Sequence, residues 1–168
     1  MQRQSELQNW LHSLYPDRPF ELAFAAADAD FRRYFRATFS DGQTVICMDA
    51  PPDKMSIAPY LKVQKLFSML NVPQVYHADE TLGFAALSDL GSTTYLAAMQ
   101  HDGSEAAHKA LLLEAIDELI VLQKASRPDV LPPYDREVML REINLFPDWF
   151  AAKELGKPFN FKQKQLWQ

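Results

Sequence analysis

Between Phe20 and Met48 the apolar residues recur with a period of two, in three consecutive runs. Phe20, Leu22 and Phe24 alternate with smaller or polar residues. In the next run Phe31, Arg33, Phe35, Ala37 and Phe39 share one face, and Arg32, Tyr34, Arg36 and Thr38 share the other. Thr44 to Met48 makes the third run, and Pro51-Pro52 ends it. Period two belongs to strands. Parallel neighbours need a crossover of a dozen or more residues, and no such length separates these runs. Asp41-Gly42, between the second and third, is a hairpin turn signal. The three strands are therefore expected to pair antiparallel as a meander, with the small, acidic stretch Ala25 to Asp30 as the connection between the first two.

The surrounding periodicity is helical, with one further pair of strands. Leu7, Trp10, Leu11 and Leu14 mark one face of a first helix, stopped by Pro16 and Pro19. A second helix is expected from about Ser56, as its cap, with Val63, Leu66, Phe67 and Leu70 on its apolar face and Pro73 beyond it. Gln74 to His77 and Phe84 to Leu87 read as short strands. After the polar link Ser88 to Ser92 every pattern is helical: Thr93 to Gln100, Glu105 to Lys124, Asp135 to Phe146, and a helix with Pro147 in its first turn and Gly156 closing it. The tail from Lys157 to Gln168 is polar and mixed, with no element assigned. The layout is α+β: a five-stranded antiparallel sheet with a helix over residues 1–87, a link at 88–92, and helices over 93–168.

Composition narrows the classes. A net charge of −5 and a pI near 5.3 argue against nucleic-acid binding, which needs a basic footprint. The longest apolar run, Leu22 to Ala27, falls far short of a membrane span, and the N-terminus lacks a basic stretch leading into an apolar one. A lone Cys47 forms no internal disulfide and no cysteine metal site, so a reducing, cytoplasmic setting is expected. No Walker motif and no Gly-x-Gly-x-x-Gly occurs.

Four segments point further. They are Ala29-Asp30-Phe31-Arg32-Arg33-Tyr34-Phe35-Arg36, Met48-Asp49-Ala50-Pro51-Pro52, Leu87-Ser88-Asp89-Leu90-Gly91, and Leu131-Pro132-Pro133-Tyr134-Asp135-Arg136 followed by Arg141-Glu142 and Leu145-Phe146-Pro147. In this order, and on this succession of elements, they resemble the aminoglycoside phosphotransferase superfamily, and within it the bacterial kinases that phosphorylate N-acetylmuramic acid and N-acetylglucosamine at the anomeric hydroxyl. The resemblance covers residues 20–156. It implies a protein-kinase-like small lobe at 1–87, a hinge at 88–92, and the first helices of an incomplete helical lobe at 93–168. It also implies ATP and magnesium as cofactors and a small sugar as substrate.

The resemblance places the nucleotide against Asp30, Arg32, Arg33, Arg36, Asp49, Ser88, Asp89 and Leu90, and the sugar against Asp135, Arg136, Arg141 and Glu142, with Trp149 nearby. Each placement has a plain rival. The three arginines meet phosphate charge or only solvate the outer face of their strand. Ser88 to Leu90 present backbone groups to adenine or merely link. The residues after Asp135 hold a sugar or form a solvated helix face. Ala25 to Asp30 lacks the glycines of a phosphate-covering loop and reads more as a short connection than as an anion cradle.

Two departures from the kinase pattern stand out. The third strand carries no Lys and the following helix no Glu, so a charge-reversed pair is expected instead, Asp49 with Lys62 or Lys65. No catalytic loop is present either. Only His77-Ala78-Asp79 has the His-x-Asp form, and it precedes the hinge, with Phe84 where Asn is required. No catalytic residue and no metal ligand is therefore assigned, and the chain reads as the first half of an enzyme, inactive alone. The alternatives are a non-catalytic module binding nucleotide or protein, and a degraded product. The apolar stripe Leu112, Ile116, Leu119 and Ile120 would then favour self-association.

Overall fold

The computed structural model describes residues 2–28 and 30–167. Ala29, in the acidic connection, and Gln168, at the end of the tail, lie outside the described residues. The chain divides into two compact units, 1–126 and 127–168.

In the first unit, α1 (Gln2–Leu14) precedes the strands β1 (Phe20–Ala27), β2 (Arg33–Phe39) and β3 (Thr44–Asp49). Then come α2 (Ala58–Leu66), β4 (Val75–Asp79), β5 (Phe84–Ser88), α3 (Tyr95–His101) and α4 (Glu105–Ala125). The five strands form one antiparallel sheet in the order β1-β2-β3-β5-β4, the expected α+β arrangement. β1 runs further than the sequence suggests. Ala26 and Ala27 pair with Tyr34 and Arg33 across a bulge after Phe24, so the small residues prolong a strand. The connection contracts to the few residues after Ala27.

Alternation along β2 decides which face each side chain meets. Phe35, Ala37 and Phe39 join Val45, Cys47, Phe84 and Ala86 against Leu7 and Leu11 of α1. On the opposite face Met48, Ala85 and Leu87 pack with Ala50 and Ile57, edged by Tyr34, Ile46, Tyr60 and Leu61. Leu7, Leu11, Cys47, Met48 and Phe84 are fully buried. Burial pushes the Cys47 thiol up to about 12, the behaviour of a core residue. α2 begins slightly later and ends earlier than expected. Ile57 is its N-cap and a buried core residue, while Ser56 accepts a hydrogen bond from the Ala58 N–H at 3.1 Å. The helix stops at Leu66, and Leu70 bonds back to Phe67 in a turn.

Between β4 and β5 the chain turns on Gly83, at φ +70°. A Cβ there would stand 2.0 Å from the Ala50 carbonyl oxygen, and the Gly83 carbonyl accepts from the Ala50 N–H at 2.9 Å. Only a residue without a side chain allows this approach.

The second unit holds α5 (Arg136–Leu145), a π-helix (Phe146–Glu154) and α6 (Phe161–Trp167). Pro147 sits in the first turn of the π-helix, and Gly156 follows its end at φ +62°. α6 lies in the tail, to which the sequence pattern assigned no element. Asn160 and Gln163 cap it reciprocally: the Gln163 N–H donates to Asn160 Oδ1 at 3.0 Å and the Asn160 N–H to Gln163 Oε1 at 2.9 Å. Phe146 stacks on Trp167 at 5.7 Å, with Phe159 edge-on to Trp167 at 5.4 Å. Among the described residues no helix is long and apolar enough to cross a membrane.

Candidate functional site

The face of the sheet that carries α2 also carries Arg32, Tyr34 and Arg36, because successive odd and even residues of β2 point to opposite sides. The antiparallel register sets Tyr34 beside Met48, Arg36 beside Ile46, and Ile46 beside Leu87. Two cavities open on this face with Tyr60 between them. One, of about 400 Å³, is walled by Tyr34, Ile46, Tyr60, Pro73 and Leu87 and closed by the backbone of Ser88 to Gly91. The other, of about 570 Å³, is lined by Arg32, Met48, Met55, Ile57 and Tyr60. The first has a mainly apolar wall and a backbone rim, which suits a planar heteroaromatic group.

That rim is held by a bidentate ion pair across fifty-three positions of sequence. Arg36 Nε and Nη2 donate to the two Asp89 oxygens at 2.6 and 3.1 Å. The Gly91 N–H donates to Asp89 Oδ1 at 2.8 Å, and Arg36 Nη2 reaches the Gly91 carbonyl at 3.3 Å. Arg36 foremost, with the Gly91 amide, holds the Asp89 carboxyl down at about 2. Ser88 anchors the rim from the other side, its N–H donating to the Gln74 carbonyl and its Oγ accepting from the Gln74 N–H, both at 2.8 Å. Leu90, exposed between these fixed points, has no hydrogen-bonded partner among the described residues. Leu90 is one of the residues that line the cavity.

The three candidate arginines have different surroundings. Arg36 is the brace of this rim. Arg33 Nη2 lies 2.6 Å from Asp49 Oδ2, and Asp49, with no exposed surface, is held on its other oxygen by Arg3 of α1. Arg3 also donates to the Leu82 carbonyl at 2.9 Å and lies 4.4 Å over the Phe84 ring. The pair expected between Asp49 and Lys62 or Lys65 is not made. Both lysines lie on the exposed side of α2, and a buried carboxylate takes the planar, multidentate guanidinium groups already beside it. Arg32 alone lines a cavity. It is paired with Asp28 at 3.1 Å and Asp30 at 2.9 Å, both at the connection between β1 and β2. Tyr34 donates to Asp28 at 3.2 Å, and burial chiefly pushes the Tyr34 hydroxyl up to about 12.

In the second unit the expected sugar residues separate. Asp135 caps α5, accepting from the Val138 N–H at 3.0 Å. Arg141 and Glu142 pair with each other on the surface at 3.2 Å. Trp149 lies beneath Lys153, whose Nζ is 3.5 Å from the ring centroid, and both line a shallow cavity of about 650 Å³. Arg136 lines a different cavity, of about 540 Å³, together with Asn144, Asp148, Lys164 and Trp167. The last four, and Tyr34, Ile46 and Tyr60 in the first unit, were not singled out from the sequence. The Asn160-x-x-Gln163 cap was the one local signal that would have placed Lys164 and Trp167 on a helix. Among the described residues no group of three or more His, Cys, Asp or Glu side chains is arranged to hold a metal ion.

The chain is 73% identical over 168 residues to an N-acetylmuramate/N-acetylglucosamine kinase of Neisseria meningitidis serogroup B, covering all of this chain and 50% of that protein. It is 38% identical to the kinase of the same name from Pseudomonas aeruginosa, covering 99% of this chain and 51% of that one. With the Pseudomonas putida protein of that name it shares 35% identity, covering 96% of this chain and 49% of that one. The chain thus spans about half the length of the curated relatives it matches. Residues 21–168, nearly the whole chain, match the phosphotransferase enzyme family, and the chain belongs to that family.

Proposed function

We propose that the chain carries the nucleotide-holding lobe, and part of the sugar-holding region, of an ATP-dependent kinase for amino sugars such as N-acetylmuramate and N-acetylglucosamine. The observation that carries this reading is the 400 Å³ cavity, walled by Tyr34, Ile46, Tyr60 and Leu87, whose rim offers the unpaired backbone of Leu90. An adenine ring fits such a slot, donating one hydrogen bond to a carbonyl and accepting one from an N–H. Ser88 and Asp89 shape that rim through their bonds to Gln74, Arg36 and Gly91. Arg32, lining the adjoining cavity, is the cation placed to meet phosphate, and Asp28 and Asp30 hold it until then. Arg33, Arg36 and Asp49 act by bracing, since each is engaged in an ion pair that fixes the sheet.

Bound ATP would supply the phosphoryl group: the bond from phosphorus to the leaving oxygen of ADP would break as one forms to the sugar hydroxyl oxygen, whose proton would be lost to water or to a base that the described residues do not supply. The described residues offer no ligand set for the magnesium that accompanies ATP, and their part is to hold the nucleotide. A reaction drawing on ATP and salvaged cell-wall sugars belongs in the cytoplasm.

A second reading, a nucleotide-binding module without a sugar site, is favoured by the separate engagements of Asp135 in a helix cap and of Arg141 with Glu142. Calorimetric titrations with ATP and magnesium and with N-acetylmuramate, beside a turnover assay, separate the two. Binding of both ligands without turnover supports the kinase lobe with part of its sugar region, binding of ATP alone supports the module, and turnover would overturn both. A chain that binds no ATP at millimolar concentration sinks both. Arg32→Ala should weaken ATP about tenfold and leave adenosine unchanged; equal loss for both would remove Arg32 from the phosphate role.

A further inference from the structure

The cavity of about 540 Å³ in the second unit is set apart by its charge. Its size lies within the range of small-molecule sites, roughly 300–1,000 Å³. Arg136 enters from the first turn of α5 and Lys164 from the middle of α6. Neither makes an ion pair or a side-chain hydrogen bond among the described residues. This contrasts with the first unit, where Arg3, Arg18, Arg32, Arg33 and Arg36 are each matched to a carboxylate. In a chain of net charge −5, two unmatched cations facing one cavity are an anion-sized vacancy in the charge pattern.

The remaining lining suits a sugar. Trp167 gives a flat aromatic wall, and Phe146 stacked at 5.7 Å and Phe159 at 5.4 Å keep it in place. Its Nε1 donates to Asn144 Oδ1 at 2.9 Å, which orients the Asn144 amide and leaves its NH₂ group for a ligand. Asp148 lines the same cavity without pairing to either cation, so its carboxylate is available to accept from hydroxyl groups.

We propose that this cavity binds a carboxylate-bearing amino sugar. Arg136 and Lys164 take the carboxylate, Asn144 and Asp148 take amide and hydroxyl groups, and Trp167 takes the apolar face of the ring. This rests on the sugar-kinase reading and adds a preference to it. N-acetylmuramate has a lactyl carboxylate, which N-acetylglucosamine lacks, so this pair of cations distinguishes the two.

The test is calorimetric titration of the 168-residue chain with each sugar, repeated for Arg136→Gln, Lys164→Gln and Lys164→Arg, with circular dichroism to match folding. N-acetylmuramate is expected to bind about tenfold or more tightly than N-acetylglucosamine, and added salt should narrow the gap. Each Gln variant should lose about tenfold for N-acetylmuramate and little for N-acetylglucosamine, while Lys164→Arg keeps the preference. Equal affinity for both sugars, equal loss of both in the Gln variants, or no binding of N-acetylmuramate overturns the inference. An ATP titration of the same samples keeps the two readings apart. ATP binding without a carboxylate preference sinks this inference alone, whereas a carboxylate preference without ATP binding keeps the site and sinks the nucleotide reading.

Discussion

Replacing Asp89 with Asn removes the charge that Arg36 grips while preserving the oxygen that accepts from the Gly91 N–H. The carboxyl titrates at about 2 instead of 3.8, held down first by the Arg36 hydrogen bonds and opposed by burial. At more than 1 kcal/mol per pKa unit this corresponds to roughly 2–3 kcal/mol. The Arg36 side chain keeps 30% of its exposure, so screening reduces the expected contribution to about 1–2 kcal/mol. The sign follows from the direction of the shift. A carboxyl whose folded pKa is depressed stabilises the fold fully above its unfolded value, near 4, and loses that contribution as the pH falls through about 2. Urea unfolding of wild type and Asp89→Asn should therefore differ by about 1–2 kcal/mol at neutral pH, and the gap should close toward the acid end. Arg36→Met should cost a similar amount, and the double variant little more, because both remove one interaction. A gap that is absent at neutral pH, or unchanged in acid, would refute the reasoning.

Three further outcomes are expected. Gly83→Ala forces a Cβ to within 2.0 Å of the Ala50 carbonyl at a positive φ, so thermal unfolding should show a loss above about 2 kcal/mol; a neutral change would mean the turn relaxes freely. Arg3→Ala leaves buried Asp49 with Arg33 alone and frees α1 from the sheet. Destabilisation of about 1–3 kcal/mol in urea is expected, discounted for the part-exposed guanidinium groups, and an unchanged midpoint would contradict the pairing. The α4 stripe of Leu112, Ile116, Leu119 and Ile120, each about half exposed, should drive self-association of the chain. Light scattering after size exclusion should show a mass above 19.2 kDa that Ile116→Glu reduces, and a monomer at high concentration would refute this.

The sheet was legible because its strands are buried on alternate residues. Phe35, Ala37 and Phe39 announce one face, and the short separations leave only antiparallel pairing. Ala26 and Ala27 were illegible as strand because nothing in alanine favours it; the ladder to Tyr34 and Arg33 decides. The link at 88–92 was legible as a composition change, but the bonds that hold it were not. Arg36 meets Asp89, and Arg3 meets Asp49, across long stretches of sequence, and local pattern carries no information about such pairs. The same limit explains why Asp49 does not meet Lys62 or Lys65: those lysines are its neighbours along the chain, while the fold brings Arg3 of α1 and Arg33 of β2 to that carboxylate. In the second unit Asp135 was a cap signal as much as a ligand signal, and capping is what it does.

The most direct measurement is the backbone amide spectrum of a ¹⁵N-labelled sample during addition of ATP. If the hinge holds adenine, the Leu90 amide should shift in a saturable way and its hydrogen exchange should slow, with the neighbouring Gly91 following and the α6 amides unmoved. An unchanged Leu90 amide at saturating ATP would contradict the account, because that unpaired N–H is the group on which the proposed nucleotide recognition rests.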